Sequence, residues 1–292
     1  MTYSIVACDR ASGAVGVAVQ TSDFAVGAVV PRARPGVGAV ATQAFGEPAY
    51  GWRVLDAIEQ GADAAAALAA ARSADPDAAL RQVGVVSRAG SADAFTGALC
   101  IDHAGHHVGG GYAVQANMAA SPAVWPAMAE AFECSGGPLA ERLAAALRAG
   151  QAAGGDARGA MSASLLVVDA TTTVADLRVD DHPEPLVELT RLLRSNDAFR
   201  AYIRARDALL AGQSAEALAE IERAVTIRPD DENIRFLRAG ALLFNNRVAA
   251  AQSEIRALIA RRPAWQTIIE SLASKGLLAL PPDLDVDSFL RP

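Results

Sequence analysis

Lysine, paired cysteines and long apolar runs are scarce in this sequence of 292 residues. Lys275 is the single lysine, so lysine chemistry is excluded from most of the chain. The cysteines (Cys8, Cys100 and Cys134) form no CxxC pair, which argues against a disulfide framework or a thiolate zinc site. No apolar run reaches membrane-spanning length, and no basic segment typical of a signal peptide precedes the first strand-like stretch. These absences predict a cytoplasmic protein.

The charge balance is acidic. Thirty-three acidic residues stand against 26 basic ones, which gives a formal net charge of −7. Nucleic acids and anionic membranes favour basic surfaces, so neither is expected as a partner. Hydrophobic residues make up 52% of the chain, and its length suits two domains with sizeable cores.

Short β-branched runs and alanine-rich helical stretches alternate over the first 180 residues or so. Strands are predicted near 4–7, 15–19, 26–30, 37–43, 82–86, 92–96, 111–115, 163–168 and 173–179. Helices are predicted near 50–72, with a break at Gly61, and at 122–133 and 138–149. This order predicts an α+β fold in which helices cover two antiparallel sheets. No GxGxxG or Walker motif indicates nucleotide binding.

The strand pattern ends near residue 183, and a 34-residue repeat follows. Ala217, Ala224 and Pro229 recur as Ala251, Leu258 and Pro263. The repeats, at about 198–231 and 232–265, resemble a short tetratricopeptide array. The sequence therefore predicts a first domain over 1–182 and a helical domain over 183–292. A plain helical bundle packed on the first domain remains the alternative.

Thr2 is the leading candidate for a nucleophile. Its small side chain favours removal of Met1, which would place a hydroxyl and a free α-amine on one residue. The unperturbed pKa of such an amine, about 7.7–8.0, suits a base near neutral pH. In a strand that starts at Thr2, Ser4 and Val6 would share its face.

Several ordered segments resemble a bacterial family catalogued as domain of unknown function 1028. The matching runs are 2–7, 16–19, 25–31, 38–44, 48–51, 82–86, 96–97, 105–106, 115–118 and 154–159. The family is grouped with the Ntn hydrolases, and the resemblance covers about residues 2–190. It implies a four-layer αββα sandwich and cleavage of a small, non-peptide amide C–N bond through an acyl-enzyme on Thr2. It implies neither a cofactor nor a metal.

Three amide side chains are candidates for the groups around Thr2. Asn117 is predicted as a catalytic residue, and Gln43 and Gln115 as residues that bind the substrate or its oxyanion. Each of the three could instead be a hydrogen-bonding residue at the end of a strand.

Charged and imidazole groups complete the predicted site. Asp156 is predicted to orient the amine of Thr2, and Arg158 to anchor substrate, although the two could form a plain salt bridge in a loop. Arg32 stands where the proteasome-like branch has a lysine, which favours an anionic substrate unless Arg32 is a surface residue. His106 is predicted at the sheet rim and near the substrate, whereas a metal site among neighbouring histidines is disfavoured. A dyad of Cys100 with a histidine is a further, weaker alternative.

Three functions therefore stay open. The leading hypothesis is an amidohydrolase that works as a homodimer on a small-molecule amide. The first alternative is a catalytically silent scaffold whose helical tail binds a protein or peptide partner. The second is a precursor that is activated by autoprocessing, which the position of Thr2 disfavours.

Overall fold

The computed structural model describes residues 2–276 and 286–290. Its strands are β1 Thr2–Asp9, β2 Ala14–Thr21, β3 Pro31–Arg34, β4 Gly38–Ala44, β5 Arg81–Ser87, β6 Ala92–Thr96, β7 Gly105–Gly109, β8 Tyr112–Asn117, β9 Ser162–Val168 and β10 Thr173–Val179. Its helices are α1 Val26–Val29, α2 Pro48–Glu59, α3 Ala64–Ser73, α4 Val124–Cys134, α5 Leu139–Ala152, α6 Pro185–Leu210, α7 Ser214–Ile227, α8 Glu232–Phe244, α9 Val248–Arg261, α10 Ala264–Ser274 and α11 Val286–Leu290. The α+β class is confirmed.

Two antiparallel sheets organise the first compact unit, which runs to Leu193. The first sheet has the order β10-β9-β2-β1-β8-β7, and the second has the order β3-β4-β5-β6. Alternate residues of each strand point to opposite faces. Tyr3 and Ile5 therefore pack on one side of the first sheet with residues of α4 and α5. Val6 and Val17 point to the other side, where they meet the second sheet.

The second sheet is also covered on both faces. Ala39 and Ala41 of β4 pack towards the first sheet. Val40, between them in sequence, packs with Val54 and Leu68 of α2 and α3. The predicted break in the first helical stretch lies where α2 ends and α3 begins, and the Asp63 carboxylate caps α3 by accepting the Ala66 N–H at 2.8 Å.

The run predicted as a strand at 26–30 forms the short helix α1 instead. Ala25 adopts a positive φ of 54° that turns the chain, and the Val26 N–H donates to Ser162 Oγ at 3.1 Å. Gly27 lies so close to Ser164 and Arg178 that a β-carbon would approach their side-chain atoms to 2.8–2.9 Å. Local contacts therefore override the β propensity of the valines.

The second compact unit begins at Arg194 and is helical throughout its described part. Helices α7 and α9 each contain 14 residues and start 34 residues apart. The turns before them repeat as well, because Gly212 and Asn246 both have positive φ. The 34-residue sequence period is therefore a structural period.

The boundary between the two units lies after Leu193, whereas the prediction from the sequence was a boundary after residue 182. Leu189 and Leu193, in the first half of α6, are buried in the core of the first unit. Their burial moves the boundary into the helix. No helix in the described ranges is long and apolar enough to cross a membrane.

Candidate functional site at the start of the first strand

Thr2 begins the central pair of strands in the first sheet. It lies opposite Thr21 of β2 and Asn117 of β8, and its side chain is on the face that meets the second sheet. Thr2 is 7% exposed, and its Oγ1 donates a long hydrogen bond of 3.3 Å to Thr21 Oγ1. The register of two strand pairs thus fixes the position of this hydroxyl.

Gln43 connects the second sheet to Thr2. Its Nε2 donates to the Thr2 carbonyl oxygen at 3.0 Å and to Gln82 Oε1 at 2.7 Å, while its Oε1 accepts the Ser4 hydroxyl at 2.6 Å. Gln115 Nε2 donates to the same Ser4 hydroxyl at 2.5 Å. Gln43 therefore contacts Thr2 directly, whereas Gln115 lies opposite Ser4, two residues further along β1.

Gln82 is the centre of this polar network, although the prediction from sequence missed it. Its Oε1 accepts from Gln43 and also from Asn117 Nδ2 at 2.8 Å. Its Nε2 lies 2.8 Å from the Ala116 carbonyl and 2.9 Å from Thr96 Oγ1. The side chain is fully buried, and it holds the amide of Asn117 in one orientation. Gln82 pairs directly with Gln43 in the register of β4 and β5, which only the structure shows.

The predicted residue His106 lies at the outer end of the same network. It is exposed, and its Nδ1 is 2.9 Å from Thr96 Oγ1, which in turn bonds Gln82. Although the residue is exposed overall, neighbouring groups shield part of its ring from water, and this desolvation lowers the pKa of the His106 imidazole. His106 thus touches the network two side chains away from Asn117 and does not hydrogen-bond to Thr2.

The predicted pair Asp156 and Arg158 lies beside Thr21. Asp156 Oδ2 accepts the Ser22 N–H at 2.9 Å, and Oδ1 accepts the Arg158 N–H at 2.8 Å. The Arg158 guanidinium binds both carboxylate oxygens of Asp23 at 3.0 and 3.1 Å. Hydrogen bonding to Arg158 lowers the pKa of Asp23, and the same bond raises the pKa of Arg158. The predicted loop salt bridge is therefore present, and Asp23 joins it.

The negative charge of Asp156 acts on the Tyr3 hydroxyl, which donates to Gln151 of α5 on the face of the first sheet opposite to Thr2. Burial raises the pKa of the Tyr3 hydroxyl, and the negative charge of Asp156 raises it further. The carboxylate itself is shielded from solvent, since the side chain of Asp156 has no exposed area.

The predicted substrate residue Arg32 lies elsewhere. It pairs with Val40 in β3 and β4, so it shares the face of Val40, which packs on α2. Its Cγ would meet a β-carbon on Gly51 of α2 at 2.9 Å, and its guanidinium is 5.7 Å from the Trp52 ring centroid. Gln43 points to the opposite face of the same sheet. Arg32 is thus separated from Thr2 by the second sheet, which removes the reason to expect an anionic substrate.

A cleft of about 850 Å³ lies at the other end of the two sheets. Its lining includes Arg10, Gly13, Val37, Asp63 and Arg88, from turns remote from Thr2. The volume of a cleft therefore does not identify the candidate functional site. The network of buried polar side chains beside Thr2 identifies it. Among the described residues, no cluster of three or more histidine, cysteine or acidic side chains could hold a metal ion.

A family model described as a family of unknown function, DUF1028, matches residues 2–189. The chain belongs to the DUF1028 family. It is similar to the crystal structure of a DUF1028 protein from Silicibacter pomeroyi, with 34% sequence identity and a TM-score of 0.63. That similarity covers 66% of this chain and 84% of the other. A comparison with curated proteins finds no match.

Proposed function

We propose that this DUF1028 protein is an amidohydrolase of the Ntn type, with Thr2 as its nucleophile after removal of Met1. The observation that carries the proposal is the position of Thr2. The Thr2 hydroxyl lies at the start of the central strand pair, between two sheets that are each covered by helices. Side-chain amides that hydrogen-bond to one another lie beside it. This arrangement supports the assignment as a four-layer αββα sandwich.

In the proposed reaction, the Thr2 hydroxyl attacks the amide carbonyl while the α-amine accepts its proton. The C–N bond breaks, the amine product leaves with that proton, and an ester remains on Thr2. Water then attacks the ester, which releases a carboxylic acid and restores the hydroxyl. Histidine and lysine side chains can also act as bases, but none in the described part of the chain hydrogen-bonds to Thr2.

Asn117 would stabilise the oxyanion. A side-chain amide carries two N–H groups, and Gln82 accepts one of those of Asn117 at 2.8 Å. The second would donate to the oxygen on which charge develops, an interaction whose loss costs about 10²–10³ in kcat in other enzymes. Gln43 would act indirectly, because its bond to the Thr2 carbonyl sets the position of the nucleophile.

Asp156 would tune the α-amine. A nearby carboxylate favours the protonated form of an amine, which is the form that gives its proton to the leaving group. The support for this role is that Asp156 Oδ2 accepts the Ser22 N–H at 2.9 Å, directly after Thr21, the residue that pairs with Thr2.

Intact-protein mass spectrometry after treatment with a β-lactone tests the proposal. The expected result is a chain without Met1 that gains one adduct, mapped to Thr2. Thr2→Ala should take up no adduct, and Thr2→Ser, which keeps a hydroxyl, should retain labelling. Retention of Met1, or a processed chain that stays unlabelled, would refute the nucleophile.

The second candidate function is partner binding by the helical unit, which we propose to be tetratricopeptide-like. A groove of about 240 Å³ is lined by residues that include Phe199, Tyr202 and Ile234, and the Phe199 ring stacks on Tyr202 with centroids 6.2 Å apart. An exposed aromatic pair of this kind suits a peptide side chain. The predicted homodimer is a separate proposal, which sedimentation velocity tests.

A further inference from the structure

Large apolar side chains stand exposed around the end of the sheets where Thr2 lies. They are Phe24, Phe45, Leu99, Ile101 and Met161, each between 37% and 69% exposed, and together they form what we call the apolar rim. All five are in loops. Phe24 follows β2, Phe45 follows β4, Leu99 and Ile101 connect β6 to β7, and Met161 precedes β9.

The backbone ties this rim to the candidate site. The Met161 N–H donates to the Thr21 carbonyl at 2.9 Å, and the Ile101 carbonyl accepts the N–H of Met118, the residue after Asn117, at 2.9 Å. Phe45 comes two residues after Gln43, and Phe24 directly follows Asp23. The rim therefore borders the Thr2 site from both sheets.

The opposite end of the first unit has a different surface. Its turns at 10–13, 35–37 and 88–91, all of which the structure describes, carry no exposed large apolar side chain, and the turn between β7 and β8 has only one, Val108, which is 38% exposed. They present the arginines Arg10 and Arg88 to the cleft there. Exposed apolar groups are thus concentrated at the Thr2 end, and such concentration marks a binding surface.

The cations next to the rim do not favour an anionic substrate. The guanidinium of Arg158 binds Asp23 through two hydrogen bonds and lies 3.5 Å from Asp156. Arg81, whose guanidinium also donates to the Phe45 carbonyl, pairs with Asp75 at 2.8 Å. These cations are already matched by carboxylates of the protein.

We propose that the apolar rim binds a hydrocarbon or aromatic group of the substrate, so that the amide cleaved at Thr2 is neutral and carries an apolar acyl chain. This inference rests on the proposed function of Thr2. Contacts with a non-reacting part of a substrate can raise the rate of reaction at the scissile bond. Full burial of one methylene group is worth about fourfold in an equilibrium or a rate.

The experiment compares two β-lactones with the same ring, one bearing a methyl group and the other a hexyl group at the same carbon. With each probe, Thr2 Oγ attacks the carbonyl, the ring C–O bond breaks, and the new alkoxide takes the proton from Thr2. The adduct therefore has the mass of the whole probe. Intact-protein mass spectrometry gives both second-order rates.

We expect the hexyl probe to label Thr2 at least about 20-fold faster, since partial burial of five methylenes falls well below the roughly 1000-fold ceiling of full burial. Phe45→Ser with Leu99→Ser should lower the ratio of the hexyl rate to the methyl rate about tenfold. The matched pair Phe244→Ser and Leu210→Ser changes exposed side chains of the second unit, and both rates should stay at wild-type values.

Each contrary result has a distinct meaning. Equal rates for the two probes, with Thr2 labelled, would overturn the apolar rim as a substrate surface and leave the nucleophile intact. No labelling by either probe would overturn the proposed function and this inference with it. A dimer that dissociates in Phe45→Ser with Leu99→Ser, at unchanged probe rates, would show that a second copy covers the rim.

Discussion

Gln82 and Gln20 are both fully buried glutamines, yet their surroundings differ. Gln82 takes part in hydrogen bonds with Gln43, Asn117 and Thr96 and with two backbone carbonyls. Gln20 makes one long bond of 3.4 Å, and its Oε1 has no partner among the described residues. Replacement by Met keeps the side-chain length and removes the amide, so the pair separates the effect of hydrogen bonding from that of volume.

The loss of stability expected for Gln82→Met follows from the hydrogen-bond donors that lose their acceptor. Asn117 Nδ2 loses the Gln82 oxygen as its acceptor, and an unsatisfied buried donor costs about 1–3 kcal/mol. Gln43 Nε2 keeps the Thr2 carbonyl at 3.0 Å, so it adds only the net value of one bond, about 1 kcal/mol. We therefore expect a loss of about 2–4 kcal/mol in the free energy of unfolding. Gln20→Met removes an unsatisfied oxygen and should be neutral or stabilising by about 1 kcal/mol.

Urea unfolding followed by tryptophan fluorescence measures the difference. Trp265→Phe in every variant restricts the signal to Trp52 and Trp125, both in the first unit. Equal costs for the two substitutions would refute the reasoning, because burial and not bonding would then decide stability. A fall of less than about 1 kcal/mol in Gln82→Met would refute it as well.

Two further predictions follow from packing and from charge. Gly84→Ala should destabilise the first unit by about 1–3 kcal/mol in the same urea assay, because the new Cβ would lie 2.2 Å from Gln115 Oε1; Gly110→Ala, which meets nothing within 4 Å, should have little effect. Hydrogen bonds from Arg262 and Trp265 lower the pKa of Glu232 to about 2, so its contribution to stability is present above the unfolded pKa of about 4.3 and is lost as the pH falls towards 2. Glu232→Gln should thus lower the melting temperature at pH 7 and narrow its difference from wild type at pH 2.5; a constant difference would contradict the pKa shift.

Local sequence patterns predicted much of the fold. The short runs with β-branched residues in β1 and β2, around the turn at Ser12 and Gly13, predicted the central hairpin, and the chain pairs Thr2 with Thr21 across it. The 34-residue period predicted the spacing of α7 and α9 because each repeat is one local unit with its own turn. Strands β3 and β7 were missed, since they contain only four and five residues and almost no β-branched side chains, although each pairs with the next strand along the chain.

The site was predicted less completely because the faces of strands depend on pairing. Arg32 and Gln43 are close in sequence, but only the register of β3 against β4 shows that they point to opposite faces. Gln82 was missed for the same reason, since its importance appears only when Gln43 and Asn117 are brought to it by two different sheets. Thr2 could be named from chemistry alone, because a terminal threonine needs no long-range partner to combine a hydroxyl and an amine.

The composition of the space between the sheets connects these observations. Away from Thr2 the facing residues are apolar, as in Val6, Val17, Ala39 and Val86. Near Thr2 they become buried polar side chains, namely Ser4, Thr21, Gln43, Gln82, Gln115, Asn117 and Ser162.

Continuing the valine pattern to the Thr2 end would be the simpler way to stabilise two packed sheets. The amides instead leave Gln115 Oε1 without a partner among the described residues, which costs stability. Natural proteins break the rules of packing most often where a site requires it. The polar interior ends at Thr2, beneath loops with exposed apolar side chains. This arrangement is expected of a site that binds a hydrocarbon group and polarises an amide.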